Sequence, residues 1–212
     1  DVVATGDAVT SNLQQRFAYG PAYQFVDQQL VFKAGTTRPR NLQALSSPII
    51  AVSGSSQVFV LNELLGQSSS ELPSLKVVTT EDSDSEELLQ QVASGEISFT
   101  VADSNRLALQ RRRYPSLAVA KTLNTEMPMA WALPLNQDDS VKAAIIEYFG
   151  TVHQSGWFTV LEDKYFGHIR QFDYVDSRAF KNAAESTLKQ YQSLFKKYSG
   201  DLDWRLLAAM SY

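Results

Sequence analysis

No cysteine occurs among the 212 residues, which excludes disulfides, thiol chemistry and thiolate metal sites. Histidine is nearly as scarce. His153 and His168 stand apart with no metal-ligand spacing, so each reads as structural or exposed. No apolar run approaches the roughly 18 residues that a membrane-spanning helix needs, and no signal peptide is present. Positive charge is sparse as well. The net charge is −4, and the only cationic run, Arg111-Arg112-Arg113, sits where a helix ends and where positive charge suits the helix dipole. Nucleic acid is therefore not an expected partner. The chain opens on Asp-Val-Val-Ala with neither Met nor leader, as a piece of a longer polypeptide would. Its length suffices for one large domain or two small ones.

What is present centres on Pro48–Leu65, PIIAVSGSSQVFVLNELL. Ile49–Val52 is a short run of β-formers. Ser53-Gly54-Ser55-Ser56 breaks it, and Val58, Leu61, Leu64 and Leu65 then recur at helical spacing. The pattern predicts strand, tight turn, helix. A helix starting there leaves backbone N–H groups free beside three hydroxyls, an end that favours a carboxylate or phosphate. The simpler alternative is that Ser55 or Ser56 only caps the helix. With one glycine and no Gly-Lys-Ser/Thr, the turn is neither a dinucleotide fingerprint nor a P-loop.

Similar units flank this one. Val2–Thr5 reads as a short buried strand, Asp7–Arg16 as loop, and Gln24–Lys33 as a strand stopped by Gly35. Leu75–Val78 is a strand. Asp84 and Glu87 form a capping box before a helix whose buried face is Leu88, Leu89 and Val92, and Gly95 ends it. Ile97–Ala102 is a strand that runs into Asp103-Ser104 and the helix Asn105–Arg113. Ala118–Leu123 and Met127–Pro134 are two further strands. Ser140–Gln154, Trp157–Tyr165 and Ser177–Tyr198 are helices, Phe172–Tyr174 is extended, and Asp203 caps a last helix, Trp204–Tyr212.

Alternating strands and helices of these lengths predict an α/β architecture with a largely parallel sheet. Ligands bind such sheets beyond the carboxyl ends of the strands. Two loops qualify: Ser53-Gly54-Ser55-Ser56 and Asp103-Ser104. A serine turn holding a carboxylate and Asp103 holding an ammonium group would suit a small zwitterion. Plain N-capping is the alternative for Asp103.

The order of elements resembles the family 3 periplasmic solute-binding proteins, the type II two-lobed receptors. The resemblance runs from Gly6–Tyr23 through Asn41–Ser47, the Ser53–Ser56 turn and the strand ending in Asp103, to Gly156-Trp157-Phe158 and Tyr165-Phe166-Gly167. It implies one complete lobe with a parallel-rich sheet and flanking helices at 35–124, a truncated lobe 1 at 1–34 and 125–167, and C-terminal helices. In that family a lobe 1 arginine grips the ligand carboxylate. The matching position here is Leu13, with Arg16 three residues late, which argues against an ordinary free amino acid as ligand.

Asp203–Tyr212, DWRLLAAMSY, resembles the opening helix of a lytic transglycosylase domain. That resemblance makes 168–212 a linker and the first helices of such a domain. It implies a parent enzyme that cleaves the MurNAc–GlcNAc bond of peptidoglycan non-hydrolytically, with a glutamate acid that would follow Tyr212. This chain then holds no catalytic residue, metal or cofactor and is itself inactive. The implied role is a regulatory, ligand-binding module that senses a muropeptide stem peptide or other small peptide, anchored at the periplasmic face of the outer membrane by a segment outside this chain. A receptor feeding a transporter and an assembly module without ligand are the alternatives. The missing part of lobe 1 would leave the edge of Val2–Thr5, the aromatics Phe17, Tyr19, Tyr23 and Phe25, and the helices of Ser140–Tyr165 open, which predicts a homodimer.

Overall fold

The computed structural model describes residues 2–4, 6, 8–67, 75–136, 139–167 and 181–211. The chain divides into two units, Asp1–Gln171 and Phe172–Tyr212.

In the larger unit, five strands form a sheet in the order β4-β3-β5-β2-β6. They are β2 (Gln24–Lys33), β3 (Ile49–Val52), β4 (Val77–Thr80), β5 (Phe99–Asp103) and β6 (Leu117–Met129). Strand β3 runs parallel to β4 and β5, whereas β2 pairs antiparallel with both β5 and β6. The sheet is therefore mixed rather than largely parallel. Strands β3 to β6 share one direction, as helical crossovers require, and β2 is the single reversed strand, inserted between β5 and β6. It lies in the same sheet as β3, so the sheet draws on residues from both sides of Gly35.

Helices cover both faces, and strand alternation assigns residues to each. Leu30 and Phe32 of β2 join Ile49, Phe99 and Leu61 on one face, under α2 (Ser56–Gln67). Val31, between them in sequence, joins Leu89, Val92 and Leu107 on the other, under α3 (Ser85–Ser94) and α4 (Ser104–Arg113). Each such large side chain taken fully from water contributes about 1.5–3 kcal/mol.

The caps follow local chemistry. Asp84 Oδ1 accepts from the N–H groups of Glu86 and Glu87, both at 2.8 Å, and Glu87 returns a carboxylate to the Asp84 N–H, so the capping box forms as expected. Gly95 ends α3 at φ 93°, a left-handed conformation that a Cβ opposes.

Other expectations are corrected. The described part of the expected strand, Val2–Ala4, is not buried. Val3 makes one bridge to Ala132, and Val2 and Val3 are exposed. Within Asp7–Arg16, a short helix α1 (Ser11–Gln14) forms because the Thr10 hydroxyl caps it. Ala118–Leu123 and Met127–Pro134 are not two equal strands. The long partner β2 draws 117–129 into one strand, with register shifts and with Glu126 at φ 52°, and only β7 (Ala132–Pro134) leaves it to pair with β1 (Phe17–Tyr19). Helix α5 (Asp139–Gln154) buries Ile145 and Phe149 against Leu133. Tyr23 stacks on Phe149 with ring centroids 6.0 Å apart, so part of the aromatic cluster is covered from within, while Phe25 stays exposed. Helix α6 (Trp157–Glu162) passes into a π-helical turn at Asp163–Gly167.

In the smaller unit, residues 181–185 are helical, followed by α7 (Thr187–Tyr198) and α8 (Trp204–Met210). The expected continuous helix is interrupted at Ser186, whose hydroxyl donates back to the Asn182 carbonyl at 2.6 Å. Asp203 caps α8 through the Arg205 N–H at 2.9 Å. An apolar groove of about 570 Å³ runs between these helices, past Leu188, Tyr191, Phe195 and Trp204. The readings at His168, Phe172–Tyr174 and Ser177–Phe180 lie outside the described residues.

Candidate ligand site at the serine turn

Because β3, β4 and β5 point the same way, the N-termini of α2, α3 and α4 gather at one end of the sheet. Their first turns enclose a pocket of about 300 Å³ lined by Ser53, Gly54, Ser55, Asp84, Ser85 and Arg106.

The serine turn is built by Gly54, whose φ of 71° reverses the chain after β3. The Ser55 hydroxyl donates to the Val52 carbonyl at 2.7 Å, so it locks the turn and does not cap α2 through its side chain. Among the described residues, the N–H groups of Gly54, Ser56 and Gln57 donate to no partner. These are the orphan donors of a helix start, and with the left-handed glycine they make an anion-seeking concavity.

Arg106, on the first turn of α4, is partly buried, and its guanidinium makes no hydrogen bond or ion pair with a described residue. Asp84 brings the opposite sign. Its two cap bonds both use Oδ1, and Oδ2 accepts from no described residue. The pocket thus combines free amides and a guanidinium for a carboxylate with a carboxylate for a cation.

Of the expected site residues, Ser53, Gly54 and Ser55 line this pocket, and Ser56, Asp103 and Ser104 do not. Asp103 and Ser56 are buried within the protein, at 0% and 1% exposure. Gln28, directly opposite Asp103 in the β2–β5 register, donates its side-chain amide to Asp103 Oδ1 at 3.2 Å and to Ser56 Oγ at 3.0 Å. Nor does the Asp103 side chain cap α4. The Ser104 hydroxyl accepts from the Asp27 N–H at 3.1 Å. Asp103 thus lies outside this pocket, in a buried polar triad with Gln28 and Ser56 that ties α2 to the sheet. The carboxylate at the pocket is Asp84, which the sequence reading took only as a cap. Arg106, which its spacing alone does not single out, also lines the pocket; its place one turn past the end of β5 is the signal in the sequence that points to it. Among the described residues, no group of three His, Asp or Glu is placed to hold a metal ion.

No family model matches the chain. Among curated proteins, membrane-bound lytic murein transglycosylase F of Alteromonas mediterranea is 76% identical over all of this chain, which covers 46% of that protein. The protein of the same name from Aliivibrio fischeri is 45% identical over all of the chain, covering 43% of it. The chain thus spans just under half the length of these relatives. Among solved structures, an ancestral arginine-binding protein bound to arginine aligns with TM-score 0.67 at 17% identity, over 78% of this chain and 71% of that one. A putative L-cystine ABC transporter protein from Listeria monocytogenes aligns with TM-score 0.68 at 15% identity, over 79% and 70%. At such identities the structural likeness concerns the fold. Among the described residues, no helix is long and apolar enough to cross a membrane. Along its whole length the chain is a homologue of part of the proteins named membrane-bound lytic murein transglycosylase F, and it carries the α/β fold of the type II periplasmic binding proteins.

Proposed function

We propose that this chain is the ligand-binding, regulatory module of a peptidoglycan lytic transglycosylase, and that its serine-turn pocket takes the carboxylate end of a small zwitterionic peptide. The observation that carries this reading is Arg106, a partly buried guanidinium without a described partner that lines the same pocket as the serine turn, whose amides at Gly54, Ser56 and Gln57 donate to no described residue. Asp84 supplies a seat for the ligand's ammonium group. The peptide best suited to such an enzyme is a stem peptide of the cell wall, so that binding reports substrate to the catalytic part. That part would cleave the MurNAc–GlcNAc bond without water, and the whole protein would act at the periplasmic face of the outer membrane. Similarity to transglycosylases over the full length, residues 172–212 included, favours this over a receptor that feeds a transporter.

Calorimetry of the 212-residue chain with a synthetic stem tripeptide tests it. Saturable binding is expected, weakened about tenfold or more in Arg106→Ala, because a charge-assisted hydrogen bond contributes about 1.5–3 kcal/mol. Equal affinity in the two proteins would remove Arg106 from the site and the reading with it. We also infer that two copies associate through exposed apolar residues of the larger unit, with Val2, Val3, Ile146 and Tyr148 as candidates.

A further inference from the structure

A second pocket of about 350 Å³ shares Arg106 as a wall with the serine-turn pocket. Its other walls include Tyr23, Leu109, Met129, Phe158, Leu161 and Tyr165, contributed by the start of β2 and by α4, β6, α6 and the π-helical turn. The framework is fixed from behind. Tyr23 stacks on Phe149, and Asn105 Nδ2 donates to Gln24 Oε1 at 3.2 Å. Gly6 lines the same pocket, and a Cβ there would sit in ordinary contact, 3.5 Å from Met129 Cε and 3.9 Å from Arg106 Nη2.

Two opposite charges line this apolar space without meeting. Arg106 and Glu162 are both partly buried, and neither side chain makes a hydrogen bond or ion pair with a described residue. A partly desolvated charge without a partner is costly, and the cost is recovered when a ligand supplies the counter-charge. A ligand that satisfies both must carry a carboxylate, an aliphatic body and a terminal cation. We propose that this pocket is the side-chain subsite of the peptide site. It takes a long aliphatic side chain ending in an ammonium group, with the methylenes between Leu109, Leu161 and Tyr165 and the ammonium on Glu162. Aromatic walls favour the same choice, since a cation beside a ring gains from the ring's negative face. The inference rests on the carboxylate reading of Arg106 given above.

The test compares two synthetic dipeptides, alanyl-lysine and alanyl-norleucine, which share the carboxylate and the methylenes and differ in the terminal charge. Calorimetry on the intact 212-residue chain, Glu162→Gln and Arg106→Ala reads three affinities for each. The lysyl peptide is expected to bind the unaltered chain about tenfold or more tightly than the norleucyl one. In Glu162→Gln the two should bind alike, while Arg106→Ala weakens both. Thermal melts check that each variant is folded, and glutamine is close in size to Glu162, which is only partly buried. Equal binding of the two peptides by the unaltered chain, or a preference that survives Glu162→Gln, overturns the subsite and leaves the carboxylate site standing. Affinities unmoved by Arg106→Ala overturn the carboxylate reading, and the subsite falls with it.

Discussion

Asp103 and Gln28 illustrate how one side chain changes the meaning of another. A carboxylate at the carboxyl end of β5 is well placed for a ligand's ammonium group, yet Gln28, 75 residues earlier, occupies it from the neighbouring strand. The pair is fully buried and extends to Ser56 at the start of α2, so it fixes the serine turn from beneath. Replacing Gln28 by alanine removes a donor from a buried carboxylate and opens a small cavity. The expected loss is about 3 kcal/mol in urea unfolding. Asp103→Asn keeps an oxygen for Gln28 and should cost less, with peptide affinity within twofold of the unaltered chain. An Asp103→Asn protein with normal stability but no peptide binding would return Asp103 to the ligand. Sequence could not separate these roles, because the partner that decides between them is distant along the chain. Arg106 and Asp84 were legible as residue types but not as neighbours, since they stand on different helices.

Elements governed by local chemistry were the most readable. The capping box of Asp84 and Glu87, the serine turn and the stop at Gly95 are each set within a few residues, and each forms where the pattern places it. Gly95→Ala should cost about 1 kcal/mol, because φ 93° disfavours a Cβ and the new methyl would sit 3.3 Å from Lys33 Nζ. Lys33 Nζ also donates to the Ser94 carbonyl, so the end of α3 would loosen as well. A Gly95→Ala protein with an unaltered melting curve would show that the end of α3 does not need that turn. Elements set by tertiary partners were less readable. Strand β6 runs on through Glu126 because β2 pairs with it along its length, and the Glu126 N–H is taken by the Asp27 carboxylate. The period of β6 alone gave no sign of that. Val2–Thr5 reads as a buried strand by composition, but one bridge is all that Val3 makes.

The whole molecule combines a larger unit with the α/β fold of the type II periplasmic binding proteins and a smaller one that, among its described helices, buries no residue of α7 or α8. Val2, Val3, Ile146 and Tyr148 leave apolar surface in the larger unit open to water. Light scattering at low micromolar concentration should therefore report a dimer, and Ile146→Asp should return it to a monomer. A monomer at every concentration would contradict that association. In the proposed function, the three helix starts at the carboxyl edge of the sheet hold the ligand's charged end. Amide chemical-shift mapping of the isotope-labelled chain, titrated with stem tripeptide, tests it most directly. Saturating shifts are expected at the Gly54, Ser55, Ser56 and Ser85 amides and at Arg106 Nε, with one shared affinity. Saturating shifts confined to other parts of the chain, with these signals unmoved, would contradict it.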